Sequence, residues 1–264
     1  MKNELYFAFY AIKKNIQSSA ELRTSFLMNI IGMAINNIAF IILWVFFVRS
    51  VGVIGGWTAV DIIGLQGFTA ICYGLSFSFG AGIRKLPDYV ASGAFDRFML
   101  SPKNILMRVA TSSFSASAVG DIIFGVTCLV IYGTLIHAGI PQVLLMFLLV
   151  VLSTVIFFTV TVVVYSASFL FIDAQLVVNG LFELFFTPSL FHGGAFQGAM
   201  RAFFIFIIPA LLVGTLPVEI IRNMSMGKLA IVGVFTFVWL VLSIKIFNRA
   251  VRKYESSNFM TFGG

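Results

Sequence analysis

Residues 143–171 read VLLMFLLVVLSTVIFFTVTVVVYSASFLF, without a single charged side chain. A helix that crosses a bilayer needs about 20 mainly apolar residues. A helix apolar on all sides belongs in lipid or in a large core, not at a water-facing surface. The stretch therefore reads as a membrane span, closed where Asp173 restores charge. The rest of the chain has the same grain: 60% of the 264 residues are hydrophobic, 10% are charged, and the mean hydropathy is +1.04. A soluble domain carries roughly a quarter charged residues, so the solvent of this fold is the bilayer. The formal net charge of +7 does not point to nucleic acid. Its charges sit in short clusters between apolar runs rather than as a stripe on one soluble face.

Working outward gives six spans in an all-α membrane protein. They cover residues 25–48, 62–83, 105–136 (with a polar first turn) and 143–171, a fifth from just after Asp173 to near Pro188, and 229–247. Between the fifth and sixth, residues 203–216 are apolar but short for a span, interrupted by Pro209 and followed by Pro217. Such a length suits a re-entrant hairpin, here within an extracytoplasmic region at 192–227, with Gly193, Gly194 and Gly198 supplying the turn. A seventh span is the alternative, and charge placement argues against it. With six spans and both termini cytoplasmic, thirteen of the seventeen basic residues lie on the cytoplasmic side, leaving Arg49, Arg201, Arg222 and Lys228 outside.

Residues 1–24 precede the first span. Leu5, Ala8, Phe9, Ile12 and Ile16 recur at helical spacing while Asn3, Lys13, Lys14 and Gln17 avoid that face, which predicts an amphipathic helix lying in the cytoplasmic interface. The apolar run after it is too long for a signal-peptide core and has no small-residue cleavage site, so the first span is expected to stay as an anchor. No internal repeat or linker divides the chain, and one domain over 1–264 is expected. Cys72 and Cys128 both fall in apolar runs, and His137 and His192 lack metal-ligand spacing, so neither a disulfide framework nor a metal site is expected.

The cytoplasmic loop at 84–108 reads RKLPDYVASGAFDRFMLSPKNILMR. Pro87 suits the first position of a helix, Asp88 favours its positive end, and Gly93 can terminate it. Leu86, Tyr89, Val90 and Gly93 then share a face. Ser101 as N-cap and Pro102 after it are expected to restart a helix. A short helix, a bend and the entry to the third span make a shaped surface for a cytoplasmic partner.

Residues 93–104, GAFDRFMLSPKN, resemble the loop between spans two and three of ABC-2 type permeases, specifically the small six-helix ABC-2 family transporter group. Further likeness lies in residues 169–173, in Pro188, Pro209 and Pro217, and in Tyr254, Glu255 and Ser256; Ser101 departs from the basic residue common before the proline. The resemblance implies the membrane half of an ABC transporter, usually an exporter. Two permease subunits, identical or paralogous, would join two separate ATPase subunits in the plasma or inner membrane. The loop would hold the coupling helix, with Leu86, Pro87, Asp88, Tyr89, Gly93, Phe95, Asp96, Arg97 and Pro102 as the residues that meet the ATPase. No G-x-x-x-x-G-K-[ST] motif occurs, and Met226-Gly227-Lys228 lacks both the upstream glycine and the hydroxyl residue that follows the lysine. ATP and magnesium are thus expected on the partner chain, with no cofactor and no catalysis on this one.

Ionisable and amide groups inside a span are costly and mark function by default. Asp121 lies mid-way along the third span on a stripe with Ser117, Glu183 lies within the fifth, and Asn36 is mid-way along the first. They either line a path for a polar or cationic substrate or make interhelical hydrogen bonds worth about 1 kcal/mol each. A polytopic membrane enzyme and a stand-alone secondary transporter are the other functional classes. The first would need a paired acid and base or a metal constellation, the second matching broken helices in two halves.

Overall fold

A computed structural model describes residues 2–51, 55–171 and 174–254. Asp173, Glu255 and Ser256 lie outside the described residues, as do the side chains of Lys2, Asn3, Leu5, Val48 and Arg49. The secondary structure is helical, beginning with α1 (Lys2–Glu21), α2 (Arg23–Val51) and α3 (Ala59–Gly80). Three short helices follow, α4 (Leu86–Ala91), α5 (Asp96–Met99) and α6 (Ile105–Ala110), and then the long α7 (Ser117–Leu135) and α8 (Ile140–Ser166). The chain ends with α9 (Ala174–Ser189), α10 (Gly198–Phe206), α11 (Thr215–Asn223) and α12 (Met226–Val251).

Among the described residues, five stretches are long and apolar enough to cross a membrane: Arg23–Phe46, Ala59–Ala91, Ser117–Leu135, Ile140–Phe169 and Met226–Val251. The sequence reading placed a sixth at α9. That helix has 16 residues, or about 24 Å at 1.5 Å per residue, short of the roughly 30 Å hydrocarbon layer. The expected third span also differs. It is two helices, α6 and α7, parted at 111–116. There the Thr111 hydroxyl donates to the Met107 carbonyl at 2.8 Å, the Ser112 hydroxyl to the Val109 carbonyl at 2.7 Å, and the Ser115 amide leaves its own helix for the Phe77 carbonyl at 3.3 Å. Hydroxyls that bond back to the preceding turn compete with the helix ladder and end it.

Helix α3 is the axis of the bundle, with α7, α8 and α2 around it and α12 against α8. Its start is fixed by a capping box: the Asp61 amide donates to Thr58 Oγ1 at 3.3 Å and the Thr58 amide to Asp61 Oδ2 at 3.0 Å. Helices α3 and α7 nearly touch along their backbones. A Cβ on Gly125 would stand 2.7 Å from the Ile71 nitrogen and 2.9 Å from the Gly67 oxygen. In lipid, where apolar burial gives little, such close small-residue packing holds helices together.

Aromatic rings dock α9: Phe157 of α8 meets Phe185 at 5.3 Å, and Tyr73 of α3 meets Phe186 at 5.2 Å. Beyond α9 the chain folds back into the bundle. The turn Pro209–Leu212 is buried, and the Ser153 hydroxyl of α8 donates to the Leu212 carbonyl at 3.0 Å. Ser153 lies about 20 Å along α8 from its first residue at the helical rise.

Helix α1 is held by its Asn15 amide donating to the Thr111 carbonyl at 2.8 Å and by Lys103 lying 4.0 Å over the Phe7 ring. Ala8 and Ile12 are half-buried, while Phe9 and Ile16, read as part of the same face, are exposed together with Tyr6 and Tyr10.

Candidate functional site

Two assemblies hold most of the residues that the sequence singled out, Ser117 and Glu183 excepted, and a third collects residues that it did not. The first is a cavity of about 270 Å³ between α2, α3, α7 and the C-terminal end of α9. Asn36 and Asn37 enter from α2, Gln66, Thr69 and Tyr73 from α3, and Asp121 from α7. Phe40, Phe124 and Phe186 complete an aromatic wall. The Asn37 amide donates to Asp121 Oδ1 at 2.7 Å. Asp121 is only 4% exposed, and its Oδ2 has no hydrogen-bond partner among the described residues. Gln66 and Thr69 donate to the Leu190 and Ser189 carbonyls at 3.1 Å, which supplies acceptors' partners at the frayed end of α9 beyond Pro188.

Asn36 and Asp121 are thus brought together. Ser117 stays outside the cavity, paired with the Ser115 hydroxyl at 3.0 Å. Glu183 lies on the exposed side of α9, where it accepts from the Thr187 hydroxyl at 3.2 Å. Gln66, Thr69 and Tyr73 were not read as site residues. The signal for them was a polar side chain at 66, 69 and 73, spaced at one helical face within an apolar run.

The second assembly is the loop after α3. A 3-10 turn, Ala81–Lys85, leads into α4, which begins with Leu86 and Pro87 and is ended by Gly93 at φ +70°. A residue with a Cβ is disfavoured in that left-handed region. Leu86, Pro87, Gly93, Phe95 and Phe98 are buried. The Phe95 ring lies 4.8 Å from Phe169 and 4.9 Å from Tyr254. The Tyr89 and Ser112 hydroxyls are 3.1 Å apart. The Arg97 guanidinium sits 4.9 Å over both the Tyr89 and Phe98 rings, and Arg108 donates to the Phe98 and Arg97 carbonyls. The helix that follows starts at Ile105, not at Pro102. Its cap is Asn104, whose Oδ1 accepts from the Met107 amide at 3.1 Å, so Ser101 and Pro102 remain in the connecting bend.

The proposed contact residues therefore divide. Leu86, Pro87 and Phe95 bind the loop to the bundle. Asp88, Arg97 and Pro102 are exposed, Asp96 is half-buried, and Leu100 is 86% exposed beside Met99 at 48%. At the base of the loop, Arg84 donates to the Tyr73 hydroxyl at 2.8 Å and lies 5.0 Å over the Phe77 ring. Tyr73 also walls the cavity, so the two assemblies share a residue.

The third assembly stands at the opposite end of the bundle. Glu219 of α11 accepts from Arg201 Nη2 of α10 with both oxygens at 2.8 Å and from Lys228 Nζ in the first turn of α12. Burial alone would raise this carboxyl, but the hydrogen bonds and charges of Arg201 and Lys228 outweigh it and hold the carboxyl below its usual range. Arg201 also donates to the Gly193 carbonyl at 3.2 Å, and Arg222 reaches Asp61 Oδ2 at 3.3 Å and the Gly56 carbonyl at 2.8 Å. Beside this cluster His192 is buried between the Trp44 and Trp57 rings, and burial lowers its pKa. The sequence held one cue to the cluster: a single acid, Glu219, among Arg201, Arg222 and Lys228 in the segment that leads into the last apolar run.

A family model described as ABC-2 family transporter protein matches residues 34–258. Among curated proteins and among solved structures, nothing matches.

Proposed function

The chain belongs to the ABC-2 family of transporter proteins, and from that premise we propose that it is the permease subunit of an exporter driven by separate ATPase subunits. The observation that carries this reading is the loop from Leu86 to Asn104. Its buried Phe95 ring fastens it to Phe169 and Tyr254, just beyond the ends of α8 and α12, while Met99 and Leu100 are exposed. An exposed apolar pair on a mobile connector would be poorly placed, but on a clamped one it is a docking knob. Force applied there passes into the spans instead of being absorbed by the loop.

In this reading the loop and both termini are cytoplasmic, as the distribution of basic residues supports, and the membrane is the cell's plasma or inner membrane. Six crossings are counted, α9 being a short fifth whose C-terminal end meets the buried turn Pro209–Leu212. That turn and its flanks, α10 and α11, form the re-entrant hairpin, and the bond from Ser153 supports its depth. Helix α1 lies in the cytoplasmic interface with Tyr6, Phe9 and Tyr10 toward lipid headgroups. A second permease subunit covers α2, whose apolar window is 0% buried within the chain although Asn29 and Asn36 lie on its exposed side. Amides facing lipid are costly, and a neighbouring helix offers them partners. The cavity beside Asn36 then faces the space between the two subunits and forms part of the path.

The test is co-purification of the tagged chain from its native membrane in mild detergent. An ATPase is expected to come with the wild type, and Leu100→Asp is expected to release it while the melting temperature of the chain is unchanged. Transport by the isolated chain without ATP, or full ATPase retention by Leu100→Asp, would refute the proposal.

A further inference from the structure

We propose that the cavity between α2, α3, α7 and α9 binds an organic ammonium ion bearing a ring-sized apolar group, which makes such cations the substrate class of the permease; the substrate clause rests on the permease reading. Three observations converge. The first is Asp121, which lines the cavity: one oxygen is satisfied by the Asn37 amide at 2.7 Å, while the other is buried and has no hydrogen-bond partner among the described residues. A carboxylate removed from water requires a cation or a strong hydrogen-bond donor. None of the other cavity-lining side chains carries a positive charge. Arg84, which bonds to the cavity residue Tyr73, is engaged by the Tyr73 hydroxyl and by the Phe77 ring.

The second is the wall. Phe40, Tyr73, Phe124 and Phe186 surround the space with aromatic rings, whose faces attract cations and whose edges accommodate apolar groups. An anion would meet both the carboxylate and the ring faces unfavourably. A neutral apolar molecule would leave the Asp121 oxygen unpaired. The third is size. The cavity of about 270 Å³ exceeds the roughly 150 Å³ that suffices to hold benzene in a protein interior, which leaves room for one ring and an ammonium head. Asn36 also lines it and can take a second polar group.

The experiment compares three probes of one ring size, phenethylammonium, 2-phenylethanol and 3-phenylpropionate. Each is titrated calorimetrically into the purified chain in phosphatidylcholine nanodiscs, whose uncharged surface does not itself gather cations. The ammonium is expected to bind about ten- to a hundredfold more tightly than the alcohol, the range of one charge-assisted hydrogen bond, and the carboxylate not at all. Asp121→Asn, which keeps the shape and the Asn37 contact, is expected to abolish the preference for the ammonium while alcohol binding persists. Equal binding of the three probes, no binding of any, or a preference retained in Asp121→Asn would overturn the proposal. The comparison among probes uses the wild type alone, so it stands even if the variant fails to fold. ATPase co-purification is read separately. An ATPase partner without ammonium binding defeats this inference and spares the permease; ammonium binding without a partner does the reverse.

Discussion

Replacing Glu219 with glutamine leaves the packing of α11 intact and removes the charge that gathers Arg201 and Lys228. Losing one member of a buried ion pair costs about 3–5 kcal/mol. Here the Glu219 side chain is 6% exposed, but those of Arg201 and Lys228 are 31% and 35% exposed. Water takes up much of their charge once the carboxylate is gone, so the cost falls to about 2 kcal/mol. At roughly 2–4 °C per kcal/mol for a chain of this size, the melting temperature should drop by about 4–8 °C. The effect should also depend on pH. The folded carboxyl is held below its ordinary range, so its contribution is complete above the unfolded glutamate pKa of about 4.3 and is lost as pH falls through the lower folded value. Thermal unfolding of the detergent-purified protein, followed by tryptophan fluorescence, should therefore show wild type and Glu219→Gln converging in acid. Adding Arg201→Gln to Glu219→Gln should cost less than the sum of the two single changes. A Glu219→Gln melting temperature within about 1 °C of wild type at neutral pH, with the same acid slope, would refute the argument that the cluster locks the segment before α12.

Other consequences follow from the packing. Gly125→Leu drives a side chain into the backbone of α3, whose Ile71 nitrogen lies 2.7 Å from the new Cβ; size-exclusion chromatography should show little monodisperse protein, and normal yield would show that α3 and α7 can separate. Phe95→Ala empties a fully buried site between Phe169 and Tyr254 and should cost about 3–5 kcal/mol. Limited proteolysis should then cut within the loop, and unchanged protection would mean that the loop is held by its other contacts.

The sequence made some of this molecule legible, and physical reasons set the boundary. Long apolar runs such as residues 143–171 need no context, because the bilayer imposes their length. The break at 111–116 was hidden, since Thr111 and Ser112 look like tolerated hydroxyls in a span until the Ser115 amide is seen bonding to Phe77. Asp121 and Asn36 stood out as polar groups in apolar runs, and the fold does bring both to one cavity. Glu183 carried the same signal but faces outward, because periodicity alone cannot tell which side of α9 its aromatic contacts will take. The Glu219 cluster depends on three segments meeting, α10, α11 and the start of α12, and no local pattern encodes that meeting. In the loop, the turn at Gly93 was readable from glycine chemistry. The later helix start was not, since Ser-Pro and Asn are both good caps and the choice fell to Asn104, which also donates its amide to Glu4 of α1 at 3.4 Å.

The hydrogen bond from Arg84 to Tyr73 has a consequence for transmission. Arg84 belongs to the turn that begins the loop, and Tyr73 is a wall of the cavity eleven residues upstream. A shift of the turn carries the guanidinium with it, so the tyrosine ring must follow or the bond must break. Either event alters the wall of the cavity. In the proposed permease, a movement imposed on the loop by an ATPase would therefore reach the cavity through one short linkage.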